Sequence, residues 1–289
     1  MKDSLKIIRF FFTFCCFTFI SIPLVYFLRN VLGMTLDGSN TSDLLLVDTI
    51  HSVILVAIVI FLYFDKLKDG IKKIKAMGGE SFAKKVIISG LLLFVVKIGA
   101  GIVTGILSAI LGLDSMSVEN QELVEEMLKS APLIMMISVS IFAPITEELI
   151  FRAGIGDVVK NKKVFIAVSG LIFGLMHVTS SVVLLMEILL IGIVLNRIIT
   201  DTKKSKNMKI ILSCLALVLI LMLFTSVYAF EYGNLIIKLK NLDLVEVVGS
   251  IVYITMGMYL AKLYTEDHNI LYSILVHGFN NLISVLLIM

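Results

Sequence analysis

Apolar runs of about twenty residues recur from one end of this chain to the other, and that feature decides most of what it can fold into. A run of that length crosses a bilayer as a helix, because a helix satisfies its own backbone hydrogen bonds where no water is present. A transmembrane barrel would instead show segments of about ten residues with alternating polarity. Of the 289 residues, 58% are hydrophobic and 16% charged, against roughly a quarter charged in a soluble domain. The fold class is therefore all-α, a polytopic transmembrane helical bundle. Apolar spans cover roughly 10–28, 46–64, 86–111, 132–151, 164–179, 182–199, 210–230, 246–264 and 270–288. The fifth and the last are short and the HVTSS link after the fifth is tight, so the expectation is eight or nine crossings. The N-terminus begins like a signal peptide, but its apolar stretch is long and no small-residue cleavage site follows, so it reads as the first span. Cys15, Cys16 and Cys214 all lie inside apolar runs, with no disulfide framework and no CxxC pair.

Positive charge orients such a chain. Lys2, Lys6 and Arg9 place the N-terminus in the cytoplasm, and the basic loops FDKLKDGIKKIKAMGGESFAKK, FRAGIGDVVKNKK and RIITDTKKSKNMK fall on the same side. About twenty of the Lys and Arg side chains sort to that side, whereas the loop DSMSVENQELVEEMLKS on the other side is acidic. The expected location is a bacterial plasma membrane. A net charge of +3 is too mild to imply nucleic acid, so the partners expected are the lipid bilayer and a peptide or membrane-protein substrate. Residues 65–85 have the pattern of an amphipathic helix lying on the inner surface, and Pro132 sits where a helix would start. The glycines of KIGAGIVTGILSAILG have small-xxx-small spacing for close helix packing.

Ionisable groups within such spans are costly, so each is a candidate for function. Glu147, Glu148 and Arg152 share the fourth span. Glu148 and Arg152 are spaced i, i+4 with the acid first, which suits an ion pair. Glu147 points about 100° away and is left to face something else. In FGLMH, Phe173 and His177 share a helix face; in HGFNN, His277 and Asn281 do, with Asn280 offset. Each segment alone also fits a structural role, as an ion-pair knot, a packing histidine or an interhelical amide. Together, a carboxylate, two imidazoles and an amide can hold and deprotonate a water and stabilise an oxyanion. The same Glu147, His177 and His277 are also ligand types for zinc, although no HExxH is present. Lys97 and Glu187 fall within spans and can pair with each other or with the cluster. His51 and His268 read as interfacial. The depths conflict: with the fourth span ending at 151, Glu147 lies about 8 Å from the inner edge, whereas His177 comes out near 20 Å.

The motifs EELIFR, FGLMH and HGFNN, in that order on separate hydrophobic helices, resemble the EExxxR, FxxxH and HxxxN of the CAAX-protease and bacteriocin-processing family of intramembrane proteases, and GMYLAKLYTEDHNILYSILVHGFNN resembles the last motif region of that family. The resemblance covers about residues 132–289 as a catalytic helical core, with residues 1–131 supplying N-terminal spans. His177 and His277 are 100 residues apart, more than is usual in the family, which implies an insertion at about 205–245. It further implies a cytosol-facing catalytic cavity and an endopeptidase acting on membrane-associated peptides or proteins. The resemblance assigns Glu147, with His177, to the attacking water, His277 and Asn281 to the oxyanion, and Glu148 and Arg152 to orientation and charge balance. No cofactor is required by the glutamate mechanism; a zinc mechanism remains open. A bacteriocin-immunity or regulatory scaffold is the alternative, and a proton-coupled transporter is disfavoured because the sequence lacks two related halves.

Overall fold

The structure, a computed structural model, describes residues 3–36, 41–113, 119–177 and 244–289. It is helical throughout, with no strand among the described residues. The first apolar run forms two helices, α1 (Asp3–Phe19) and α2 (Ser21–Asn30). Pro23 explains the break, because its ring clashes with the carbonyl four residues back, at Phe19. The following helices are α3 (Thr41–Leu62), α4 (Phe64–Met77), α5 (Gly79–Leu111) and α6 (Glu119–Ser130). Gly112, in the left-handed conformation, closes α5, a geometry that costs glycine nothing. One long helix, α7, covers Pro132–Val158 and begins on proline, as expected. Then come α8 (Lys162–Leu175), α9 (Leu244–Asp267) and α10 (Ile270–Ile288). Asn161 caps α8 by accepting from the N–H groups of Lys163 and Val164, and Asn269 caps α10 by accepting from Leu271.

Five of these helices are long and apolar enough to cross a membrane: α3, α5, α7, α9 and α10. The sixth and seventh expected spans, and nearly all of the expected insertion, lie outside the described residues. The basic segment after α3 does form an amphipathic helix, α4. It lies under the α9–α10 turn, where Lys73 donates to the carbonyls of Asp267 and His268. Lys85, at the start of α5, pairs with Asp267.

Lipid offers no hydrophobic drive for helix association, so close packing and polar contacts hold the bundle together. The tightest contact is between α8 and α9. A Cβ on Gly174 would stand 2.6 Å from the backbone nitrogen of Ile254. By contrast, Gly99 and Gly101 on α5 meet no described atom within 4 Å. Among the described residues the close approach on α5 is at Gly90, where a Cβ would meet the Phe279 ring. Phe10, Phe14, Tyr63, Phe151, Phe173 and Tyr272 anchor one buried core, while Phe61, Ile110 and Leu287 point outward.

Two π-helical stretches interrupt α7, at Ser138–Phe142 and Leu149–Gly154. Pro144 follows the first and cannot donate to the carbonyl of Ser140. The freed backbone meets α10 instead: Asn281 Nδ2 donates to the carbonyl of Val139 at 3.0 Å. A Cβ on Gly278 would stand 2.6 Å from the Ser140 oxygen, so only glycine permits this approach. In the second stretch, Ser169 Oγ of α8 donates to the carbonyl of Phe151 at 2.8 Å. Wide turns of this kind recur at functional sites, and here they supply the docking points for two neighbouring helices.

Candidate active site

Between the two π-helical stretches α7 presents Glu147 and Glu148. Glu148 and Arg152 are fully buried, with Arg152 Nε 3.1 Å from Glu148 Oε2, the i, i+4 pair expected from the sequence. The contact is ionic, since its angle falls outside hydrogen-bond geometry. Arg152 also lies over the Phe173 ring, 4.5 Å from its centre, where the ring face attracts the cation. The other oxygen of Glu148, Oε1, accepts from His277 Nδ1 at 3.0 Å. One carboxylate therefore bridges a guanidinium and an imidazole.

Glu147 turns the other way, toward a cavity of about 550 Å³. Its Oε2 lies 3.9 Å from Nε2 of His177 and 3.9 Å from Nε2 of His277, and has no hydrogen-bond partner among the described residues. His177 is held from behind. Its Nδ1 donates to the carbonyl of Phe173 at 2.7 Å, and its ring stacks on Tyr253 at 4.6 Å and 14°. A carbonyl only accepts, so in a neutral His177 the proton sits on Nδ1 and Nε2 is bare. Glu148 holds the proton of His277 on Nδ1 in the same way. Both rings thus turn Nε2 toward Glu147.

His177 comes within 4 Å of Glu147 because α7 continues to Val158, seven residues past the expected end at 151. Glu147 then stands eleven residues from the end of α7, about 16 Å along the helix, and His177 fifteen residues beyond Lys162, about 22 Å. The two depths agree to within about one turn, and the expected conflict disappears. Of the six candidate residues, Glu147, His177, His277 and Asn281 line the cavity, while Glu148 and Arg152 lie behind it.

Other expectations resolve differently. Lys97 lines the cavity and donates to Ser284 Oγ at 2.8 Å; Glu187 lies outside the described residues. His51, expected at the interface, is half-buried on the cavity wall near Asp48. Tyr253, Asp48, Pro144 and Gly278 were not legible as site residues. Each acts through a partner on another helix, and no local spacing marks it.

The donor set Glu147, His177 and His277 contains the side-chain types that bind zinc. Among the described residues, however, no three His, Cys, Asp or Glu side chains converge closely enough to hold a metal ion. No step below is routed through a metal.

The fold and the site together define a membrane-embedded helical bundle with a carboxylate–imidazole centre at the floor of a cavity. Residues 129–212 match the family model of the type II CAAX prenyl endopeptidase Rce1-like proteins. Over this segment, which carries EELIFR and FGLMH, the chain is similar to that family, in agreement with the resemblance read from the motifs. No curated protein and no solved structure matches the chain. A peptidase is what the family implies.

Proposed function

We propose that this protein is an intramembrane endopeptidase in which Glu147 activates water. One observation carries the reading: a nearly buried carboxylate oxygen without a partner faces a cavity between two imidazole nitrogens. A buried acid left unpaired costs stability, and such a cost is retained where chemistry uses it. Water held by Glu147 and His177 gives its proton to Glu147 and attacks the scissile carbonyl. The oxyanion that forms is met by the second N–H of Asn281, whose first is taken by Val139. It is also met by His277 after Nε2 has taken a proton from solvent, the resulting cation being balanced by Glu148 on Nδ1. Glu147 then passes the proton to the leaving amine as the C–N bond breaks. Glu148 and Arg152 do not touch the reacting atoms; they fix the tautomer and position of His277. The chain crosses the membrane eight or nine times in this reading, with its N-terminus in the cytoplasm.

The test is cleavage of a membrane-associated peptide by purified protein in detergent. Glu147→Ala abolishes turnover without unfolding the protein; full activity in that variant removes the base from Glu147. Biological function retained by Glu147→Gln would instead mark a non-catalytic scaffold. Wild-type cleavage that survives exhaustive chelation marks glutamate chemistry, whereas loss restored by added zinc marks a metal.

A further inference from the structure

We infer that a groove between α5 and α9 holds an anionic phospholipid, with the headgroup phosphate at Lys84 and Lys262, the glycerol esters at Ser89 and Tyr272, and an acyl chain along Ile88 and Leu92. The inference does not rest on the peptidase reading, because the groove shares no residue with the cavity that Glu147 lines.

The first observation is the groove itself. It has a volume of about 470 Å³ and takes one stripe from each of two helices. On α5 the stripe is Ser81, Lys84, Lys85, Ile88, Ser89 and Leu92, spaced as one helix face requires. On α9 it is Tyr259, Lys262, Leu263 and Glu266, with the same spacing. Tyr272 of α10 completes the lining. Both stripes lie where their helices end, since α5 starts at Gly79 and α9 stops at Asp267. A span ends near the headgroups, so the lysines stand at headgroup level and Leu92 at the level of the chains.

The second observation is the order of polarity along the groove. On α5, Ser89 lies about 7.5 Å and Leu92 about 12 Å further along the helix than Lys84. Charge, hydroxyl and hydrocarbon follow one another as phosphate, ester and acyl chain do in a phospholipid. A free phosphate would use only the first of these. Ile88 and Leu92 are exposed among the described residues.

The third observation is a set of unmatched polar groups. Lys85 pairs with Asp267 and lies over the Tyr272 ring, 4.6 Å from its centre. The side chains of Lys84 and Lys262 have no partner among the described residues. Glu266 offsets one of the two, so one positive charge remains, which a phosphodiester balances. Deeper in, the hydroxyls of Ser89 and Tyr272 bond to each other, and both residues are more than nine-tenths buried. Whichever of them donates, the other keeps a hydrogen with no acceptor among the described residues. A lipid ester carbonyl accepts it. The residues between α8 and α9 in sequence are net basic, RIITDTKKSKNMK among them, and do not supply the missing anion. Basic pockets between helices at the membrane surface take anionic headgroups.

The chain has no tryptophan, so Leu92→Trp places a single reporter in the groove; Ile88→Trp serves if Leu92→Trp does not fold. The full chain is reconstituted in vesicles of equal parts phosphatidylglycerol and phosphatidylcholine, with bromine on the acyl chains of one lipid or the other. Bromine quenches the tryptophan only at contact. Phosphatidylglycerol is expected to occupy the groove at least about fivefold more often than phosphatidylcholine. Adding Lys84→Gln and Lys262→Gln brings that ratio to about one. Lys72→Gln with Lys75→Gln, which removes the same charge from exposed positions on α4, leaves the ratio unchanged. Equal quenching by the two lipids overturns the inference, as does a ratio that the α4 pair lowers as much as the groove pair. Quenching by neither lipid means that other parts of the chain cover the groove, and overturns it as well. Loss of the preference on adding soluble glycerol 1-phosphate marks a site for free phosphate and overturns the lipid.

Discussion

Two groups of charge are buried along α7, ten residues apart, and the bundle treats them in opposite ways. Around Asp157 each carboxylate oxygen faces a cation, Arg9 on one side and Lys66 on the other. Arg9 is further held by Asp65 at 2.8 Å, by the carbonyl of Leu62 at 3.0 Å and by the ring of Tyr63. Around Glu147 the nearest polar atoms stand 3.9 Å away on two histidines, and a cavity fills the remaining side. The first arrangement pins four helices at one end of the bundle. The second leaves a carboxylate oxygen without a partner among the described residues, facing the cavity. Buried charge alone does not mark a candidate site; buried charge without a partner, facing a cavity, does.

The largest effect expected from this contrast is on turnover. Glu147→Gln keeps the shape of the side chain and removes the base, and cleavage falls by about 10³-fold or more. Thermal stability of the same variant in detergent stays within about 1 kcal/mol of wild type, because no partner of Glu147 is lost. Asp157→Ala reverses the pattern. It removes the acid that Arg9 and Lys66 share, and unfolding titrations show destabilisation of about 3–5 kcal/mol, with activity lost in proportion to the folded fraction. If both variants lost stability equally, the distinction between the two clusters would fail.

A smaller effect is expected where the clusters depend on backbone contact. Gly278→Ala forces α10 away from the Ser140 carbonyl and carries His277 and Asn281 with it. Displacement of catalytic groups by about 1 Å costs roughly 10²-fold in rate, read as kcat on a peptide substrate while the helical circular dichroism is unchanged. Tyr253→Phe is the mildest. It keeps the ring stacked on His177 and removes only the 3.4 Å hydrogen bond to Gln121, so kcat changes less than about tenfold. A larger loss would give the hydroxyl a direct part in the chemistry.

Much of the candidate site was legible before any coordinates. The three motifs named the six side chains, and the i, i+4 spacing of Glu148 and Arg152 already separated the paired acid from the free one. The Asp157 cluster was not legible: Arg9 read as an orientation signal and Asp157 as part of a basic loop, since their contact links residues 148 apart. The break at Ile20 was written in Pro23 but was read through as one span. The end of α7 was placed seven residues early because FRAGIGDVV looks like a loop, and that error alone produced the apparent conflict in depth.

The sequence by itself determined that the chain is a helical membrane protein, which end of each helix carries positive charge, and which residue types meet at the centre. These follow from composition and from the 3.6-residue period, both of which are local. Only the tertiary structure decided that His177 and His277 reach the same oxygen, that Pro144 and Gly278 make the approach possible, and that the cavity extends toward α6. Those outcomes depend on where each chain reversal falls and how closely two backbones can touch, and both are set by residues far apart in the chain.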